Sequence, residues 1–416
     1  MVNMKGNYPY DYFKNPIIYK PINEIYADID AFSMEVFPDE ITKKSRVDMM
    51  IVLPPLNYEG IVTKGIFLSQ GTDYIYECYP DIGQIFHSCA FSMWSSYPWS
   101  KKADAYCVCY DNPQREEWFK KTNPDRADKI LLPVQDADFT NEYFMAPTFN
   151  TPKEIDVFCI GRLSELKNLN IFARALKIYH KKYGRKLTAT LVTGGEPNTS
   201  LEKKEMQLIE EELGTVDDYL KIIPHVPHKD LPKHYTGSKL CVLPSLFEGK
   251  NRVIQEAASC NTGIVAFRDF NKYSRGEHPI FWGNEEGGFL VPDFTAESLC
   301  DTIYWGLMNY EYLKPRKHYL MNTGRKNLIN KIVDMIPYYK ENLPGYVPNK
   351  IQENLWVDLA MQDNYQISFM DFLYGKNCAI QHITLLENNN SLMHFFYSRF
   401  GIEKSKPFVE FDKLPE

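Results

Sequence analysis

From residue 154 onward, short apolar runs alternate with amphipathic stretches, and this alternation constrains the fold more than any other feature of the chain. EIDVFCIG (154–161) reads as a buried strand ended by glycine. In LNIFARALKIYHKKYG (169–184), Leu169, Phe172, Leu176, Tyr179 and Tyr183 fall at helical spacing, and Gly184 supplies the stop. KLTATLVTGG (186–195) is a strand again. Thr199 and Glu202 form the T-x-x-E pattern of a capping box, opening a helix expected to end near Gly214. YLKIIPHV, KLCVLPS and TGIVAF continue the strands, and PSLFEGKNRVIQEAAS carries a helix expected to begin near Gly249 or Lys250. Strands separated by helices in this way predict a doubly wound α/β domain over 151–336.

The first 150 residues follow a looser version of the same pattern. VDMMIVLPP (47–55), GIFLSQG (65–71), DAYCVCY (104–110) and KILLPV (129–134) read as buried strands closed by Pro, Gly or Asn. PQREEWFKKTNPD (113–125) reads as a helix stopped before Pro124. This order predicts a second α/β layer with a parallel sheet over 1–150, in which IIYK and EIYADIDAF would supply a strand and a helix. MAPTFNTP (145–152) has the composition of an interdomain linker. After Ile336 the rhythm breaks. Residues 337–416 are rich in Pro, Asn and Tyr, with helical patches IQENLWVDLAMQ and SLMHFFYSRFG, and read as a crossover onto the first domain or a helical extension.

Composition narrows the class of function. A chain of 416 residues has room for two or three domains. Its 54 Asp and Glu exceed its 47 Lys and Arg, a formal net charge of −7, which disfavours a protein that chiefly grips a phosphate backbone. The nine cysteines are scattered, with no C-x-x-C pair and no zinc spacing, as expected for free thiols in a reducing compartment. The start, MVNMKGNYPYDYF, lacks an apolar signal-peptide core, and no run approaches the ~18 apolar residues of a membrane span. These features predict a cytoplasmic protein, at most peripheral at the inner face of a membrane.

Open α/β sheets bind ligands outside the carboxyl ends of their strands. Two such ends carry unusual residues. IGRLSELKN places Arg162 and Lys167 in the loop before a helix, where cations and free backbone N–H groups together attract an anion. LPSLFEGKNRVIQEA (243–257) places Glu248 just before a helix and Glu256 eight residues later. At 1.5 Å per residue that separation is about 12 Å, suited to gripping two ends of an extended ligand. Gly249 would allow close approach of the backbone. Solvated surface charge is the plainer reading of all four side chains.

These motifs, in this order, resemble the nucleotide-sugar domain of family-four retaining glycosyltransferases, which have the GT-B fold. The resemblance rests on IGRLSELKN, LVTGG, IIPHVPHKDLPKHYTGSKLCVLPS, the E-x₇-E run FEGKNRVIQEA, and NEEGGFLVPDFTAESLCDTI. KADAYCVCYDNPQREEWF and KILLPVQDADFTNEYF resemble the exit of that family's first domain. The resemblance implies two Rossmann-like domains facing across a cleft. It also implies transfer of a sugar, with retention, from a UDP- or GDP-sugar to a glycan or glycolipid acceptor. Arg162 and Lys167 then match the diphosphate-binding pair, Glu248 the contact to the transferred sugar and Glu256 the ribose holder. Gly249, Lys250 and Asn251 match the helix start facing sugar and phosphate. Gly194 falls in the donor-binding set, and His225 and Val226 lie beside the base. His87, in QIFHSCAF, matches a histidine near the donor sugar in many members. The family needs no metal and no further cofactor. Its opening Gly-rich loop has no counterpart in 1–45.

Other readings attach to the same residues. Hydrolysing nucleotide-sugar epimerases share the fold, as do some DNA-base glycosyltransferases and non-catalytic scaffold subunits. The D-x-D strings Asp28–Ile29–Asp30 and Asp136–Ala137–Asp138 read as chance in such a fold. WSSYPWSKK (94–102) reads as a packed loop in preference to a membrane or acceptor contact.

Overall fold

The computed structural model describes residues 48–69, 72–91, 100–107, 117, 120, 121, 124–132, 134, 136–246, 251–267, 285–350, 352, 355, 356, 358, 359, 383, 384 and 388–405. Of these, Glu142–Gly324 form one compact unit, while the residues up to Asn141 and those from Arg325 onward form another. The expected strand and helix in 1–45, the first D-x-D string and most of WSSYPWSKK and of the helix at 113–125 lie outside the described residues.

In the unit that opens the described chain, β1 (Asp48–Leu53) is followed by the hairpin β2 (Leu56–Tyr58) and β3 (Ile61–Thr63), and then by β4 (Gly65–Ser69). β5 (Phe86–Phe91), β6 (Ala105–Cys107) and β7 (Ile130–Leu132) add to β4 in parallel. β1 instead runs antiparallel to β4. Only residues 54–64 join the two, and a parallel neighbour needs a crossover of a dozen or more residues. β5 escapes a search for aliphatic runs because FHSCAF carries His and Ser. Ser88 is satisfied locally: its N–H and hydroxyl both donate to Asp104, at 2.8 and 3.0 Å.

The C-terminal segment completes this unit. The helix Gly324–Met335 places Leu328, Ile329, Ile332 and Val333 in one core with Phe67 and Phe86. The Tyr339 hydroxyl donates to the carbonyls of Lys64 and Gly65, and Trp356 Nε1 donates to the Pro54 carbonyl at 2.8 Å. β14 (Ile383–Thr384) pairs with β1, and the helix Asn388–Arg399 sets Phe396 edge-on to Phe86 at 5.5 Å. The units therefore divide at Glu142 and Gly324 rather than at 150 and 336. The reason is apolar: the residues of 324–335 at helical spacing are buried against the first sheet, so this helix leaves the domain expected to run to 336.

The other unit is the regular one. β8 (Ile155–Ile160), β9 (Ala189–Val192), β10 (Lys221–Ile223), β11 (Ser238–Leu243), β12 (Gly263–Phe267) and β13 (Gly288–Val291) form a parallel sheet in the order β10-β9-β8-β11-β12-β13. Helices Leu169–Tyr183, Ser200–Leu213, Leu231–Thr236 and Arg252–Ser259 supply successive crossovers. Alternate residues enter opposite cores: Val157, Cys159, Leu240 and Val242 on one face, Phe158, Cys241 and Leu243 on the other. The capping box forms as its sequence predicts, with Thr199 accepting from the Glu202 N–H and Glu202 accepting from the Thr199 N–H. The fold class is thus α/β, with two Rossmann-like units.

One buried carboxylate in this unit makes stability depend on pH. Asp156 accepts from Arg185, from Lys239 at 2.6 Å and from the Thr188 N–H at 3.0 Å. Burial pushes its pKa up, but the Lys239 hydrogen bond, the Thr188 N–H and the two cations outweigh that and hold it below the usual value. A depressed carboxylate stabilises the fold above its unfolded pKa of about 4, and that contribution is lost as pH falls through the folded value. Asp156→Asn should therefore flatten the acid limb of a denaturation-midpoint-versus-pH curve below about pH 4. An unchanged acid limb would refute this assignment.

Candidate functional site

Because β8 leads to β9 and β10 on one side while β11 leads to β12 and β13 on the other, β8 and β11 flank the point where strand order reverses. Ligands of open parallel sheets bind outside the carboxyl ends at such a point. The loops leaving β8 and β11 are joined there. The Leu246 N–H donates to the Leu166 carbonyl at 2.8 Å, and Asn168 Nδ2 donates to the Pro244 carbonyl at 3.1 Å. Asn168 itself adopts the left-handed conformation, with φ 51°, between the 3-10 turn Glu165–Lys167 and the helix Leu169–Tyr183.

This stitching brings the expected cations to adjoining strand ends. Lys167 lays its stem along Gly161, where an added Cβ would lie 3.5 Å from Lys167 Cγ. Gly194, just beyond β9, has φ 81°, a conformation that favours glycine, and an added Cβ would lie 3.7 Å from Arg162 Cγ. Arg162 is exposed and makes no hydrogen bond or ion pair among the described residues. Arg162, Lys167 and Gly194 thus share one corner at the carboxyl ends of β8 and β9. Beyond β10, His225 is exposed while Val226 is buried.

Glu248, Gly249 and Lys250 lie outside the described residues. Asn251 is described, and it corrects the expected helix start. Its backbone is extended and its side chain accepts from the Val253 N–H at 2.7 Å, so it is the N-cap and the helix begins at Arg252. The rise of 1.5 Å per residue cannot be counted from residue 248, and the 12 Å spacing of the two glutamates no longer follows.

Glu256 lies within this helix and is only 3% exposed. The Tyr235 hydroxyl donates to its Oε2 at 2.8 Å, and His228 Nε2 lies 3.5 Å from its Oε1. The Tyr235 phenol is held well above its usual pKa, first by burial and then by the Glu256 charge, so it remains a donor. No pattern in the sequence singles out Tyr235 or His228. The usable signal was general: a tyrosine buried in a helix needs a partner for its hydroxyl.

His87 belongs to the other unit. It is the second residue of β5, paired with Ile66 of β4, at the amino end of the parallel strands. Its Nδ1 is 3.8 Å from Asp104 Oδ2, and its ring meets those of Tyr338 and Tyr339 edge-on. This is the end of the sheet opposite to that used for ligands in open parallel sheets. His87 thus sits at the amino end of this sheet, with its ring against Tyr338 and Tyr339. Asp136 and Asp138 fall in a 3-10 turn. Among the described residues, no group of three or more His, Cys, Asp or Glu side chains is arranged to hold a metal ion. No described helix is long and apolar enough to cross a membrane.

Residues 154–309, which carry the parallel sheet and the Arg162–Lys167 corner, match the family model described as Glycosyl transferases group 1. This segment is similar to group 1 glycosyltransferase domains. Over 146 residues the chain is 30% identical to a D-inositol 3-phosphate glycosyltransferase of Saccharomonospora viridis, covering 34% of this chain and 32% of that protein. Over 145 residues it is 26% identical to the protein of the same description from Corynebacterium jeikeium, covering 35% and 33%. The chain thus spans about a third of the length of the curated relatives it matches. Among solved structures, sucrose-phosphate synthase from Thermosynechococcus elongatus gives a TM-score of 0.47 at 17% identity, covering 76% of this chain and 79% of that one. A mutant TarM of S. aureus gives 0.46 at 13%, covering 61% and 51%.

Proposed function

We propose that the protein is a retaining glycosyltransferase of GT-B type. It would move a sugar from a nucleotide-diphosphate sugar, with UDP or GDP as the leaving group, to a glycan or glycolipid acceptor. What carries the reading is the group 1 glycosyltransferase match together with the cationic corner at the reversal point of its sheet. On this reading, Arg162, Lys167 and the positive end of the helix Arg252–Ser259 take the charge of the leaving diphosphate. Such preorganised donors act most strongly where charge develops. Gly194 leaves room for the phosphates beside Arg162. Glu248 contacts the transferred sugar, Gly249, Lys250 and Asn251 line the helix start, Glu256 holds the ribose, and His225 and Val226 flank the base. The leaving phosphate, on the same face as the acceptor, helps remove the acceptor proton, so no carboxylate nucleophile is required. The work is done without a metal or other cofactor, in the cytoplasm or against the inner face of a membrane.

The test is mass spectrometry after incubation with a panel of UDP- and GDP-sugars and candidate acceptors, with and without EDTA. NMR of the anomeric coupling in the product then reads the stereochemistry. A transferred hexose with donor-like configuration, formed in EDTA, is the expected result. Release of free sugar without transfer would favour a hydrolysing epimerase. Activity lost to EDTA and restored by Mg²⁺ or Mn²⁺, or an inverted linkage, would contradict the mechanism.

A further inference from the structure

A carboxylate can accept from two directions through each oxygen, and a buried one must have partners for the charge it carries. Glu256 has its two oxygens in different circumstances. Oε2 is taken by Tyr235, whose ring is itself fully buried and packed edge-on against Phe158 at 5.3 Å. The Tyr235 main chain is tied down as well, since its carbonyl accepts from the Thr262 hydroxyl at 2.6 Å. Oε1 faces His228 Nε2 at 3.5 Å, a nitrogen that is buried and makes no hydrogen bond among the described residues. The His228 ring lies flat on Phe144, with centroids 5.3 Å apart and planes at 6°. One side of the carboxylate is therefore satisfied and rigid, and the other has spare accepting capacity beside an unsatisfied nitrogen.

We propose that Tyr235 is a positioning residue for the donor: it locks the Glu256 carboxylate so that Oε1 alone is presented to a ribose hydroxyl, with His228 Nε2 as the second polar group of that subsite. This rests on the proposed donor reading, in which Glu256 holds the ribose. Tyr235 touches no ligand and acts through Glu256. In Tyr235→Phe the ring and its packing remain, but the carboxylate gains freedom to rotate and part of its preorganisation is lost. The affinity gained from the ribose hydroxyl should fall, while contacts to phosphate and base remain.

The experiment is calorimetric titration of UDP and GDP, and of their 2′-deoxy and 3′-deoxy forms, into the wild-type protein, Tyr235→Phe, His228→Gln and Glu256→Gln. In the wild type, at least one deoxy form of the nucleotide that binds should be weaker by about tenfold, the effect of one hydrogen bond to a charged group. Tyr235→Phe should weaken the ribonucleotide several-fold and leave that deoxy form nearly unchanged, narrowing the gap. In turnover, the same variant should raise KM for the donor with little change in kcat. Thermal melts verify that each variant is folded, and His228→Gln gives a second narrowing that leaves Tyr235 intact. If Glu256→Gln weakens ribo and deoxy forms equally, or neither UDP nor GDP binds, the donor reading of this site fails. If Glu256→Gln narrows the gap but Tyr235→Phe weakens ribo and deoxy forms alike, or changes neither, the positioning role is overturned while the donor reading stands.

Discussion

Replacing Arg162 or Lys167 with alanine is expected to lower kcat/KM for sugar transfer by about 10²–10³-fold, the loss typical when a preorganised donor to a developing negative charge is removed. The expectation follows from position. Arg162 and Lys167 leave the same strand, β8, and Lys167 sits on a 3-10 turn whose Leu166 carbonyl is bonded to the loop after β11. The backbone that carries Lys167 is therefore held before any ligand arrives. The effect should appear in kcat as well as in KM, because charge on the leaving diphosphate grows toward the transition state. Lys167→Arg keeps the charge but changes its shape and reach, and should lose less than Lys167→Ala. Steady-state kinetics on folded variants, judged by thermal melts, decide the matter. Losses below about threefold at both positions would remove the diphosphate from this corner.

Trp356→Ala is expected to destabilise the unit built on β1 and β4–β7 by about 3–5 kcal/mol, the usual range for deleting a buried aromatic. Trp356 is 1% exposed, and it packs edge-on against Tyr339 at 5.7 Å. Its Nε1 satisfies the Pro54 carbonyl, which would be left without that donor. The substitution lies 302 positions along the chain from the carbonyl it supports, so it tests directly whether the C-terminal segment belongs to the first sheet. Urea denaturation followed by fluorescence gives the answer. A change under about 1 kcal/mol would mean that Trp356 is not part of this core.

The regular unit was legible because its signals are local. The strands from β8 to β12 fall in apolar runs, the helix spacing of Leu169 to Tyr183 is unbroken, and the Thr199–Glu202 capping box lies within four residues. The Arg162–Lys167 corner was legible for the same reason, since a glycine-ended strand followed by cations occupies a known place in a doubly wound sheet. What escaped was non-local or masked by polarity. β5 hides its strand character behind His87 and Ser88, and only the pairing of Ser88 with Asp104 explains why those residues can be there. The antiparallel turn of β1 depends on the hairpin between it and β4. The start of the helix at Arg252 depends on a single cap by Asn251. The partners of Glu256 are Tyr235 and His228, 21 and 28 positions away, and no periodicity connects them. The return of the described residues after Gly324 to the first sheet is longer-range still.

The central claim is that the donor diphosphate binds at the carboxyl ends of β8 and β9 in the unit Glu142–Gly324. A crystal structure with UDP or GDP tests it most directly. The account predicts phosphate oxygens within about 2.7–2.9 Å of the Arg162 guanidinium and the Lys167 ammonium, the range of charge-assisted hydrogen bonds, with the ribose toward Glu256. A diphosphate held by the unit of β1 and β4–β7, with Arg162 and Lys167 turned to solvent, would contradict it.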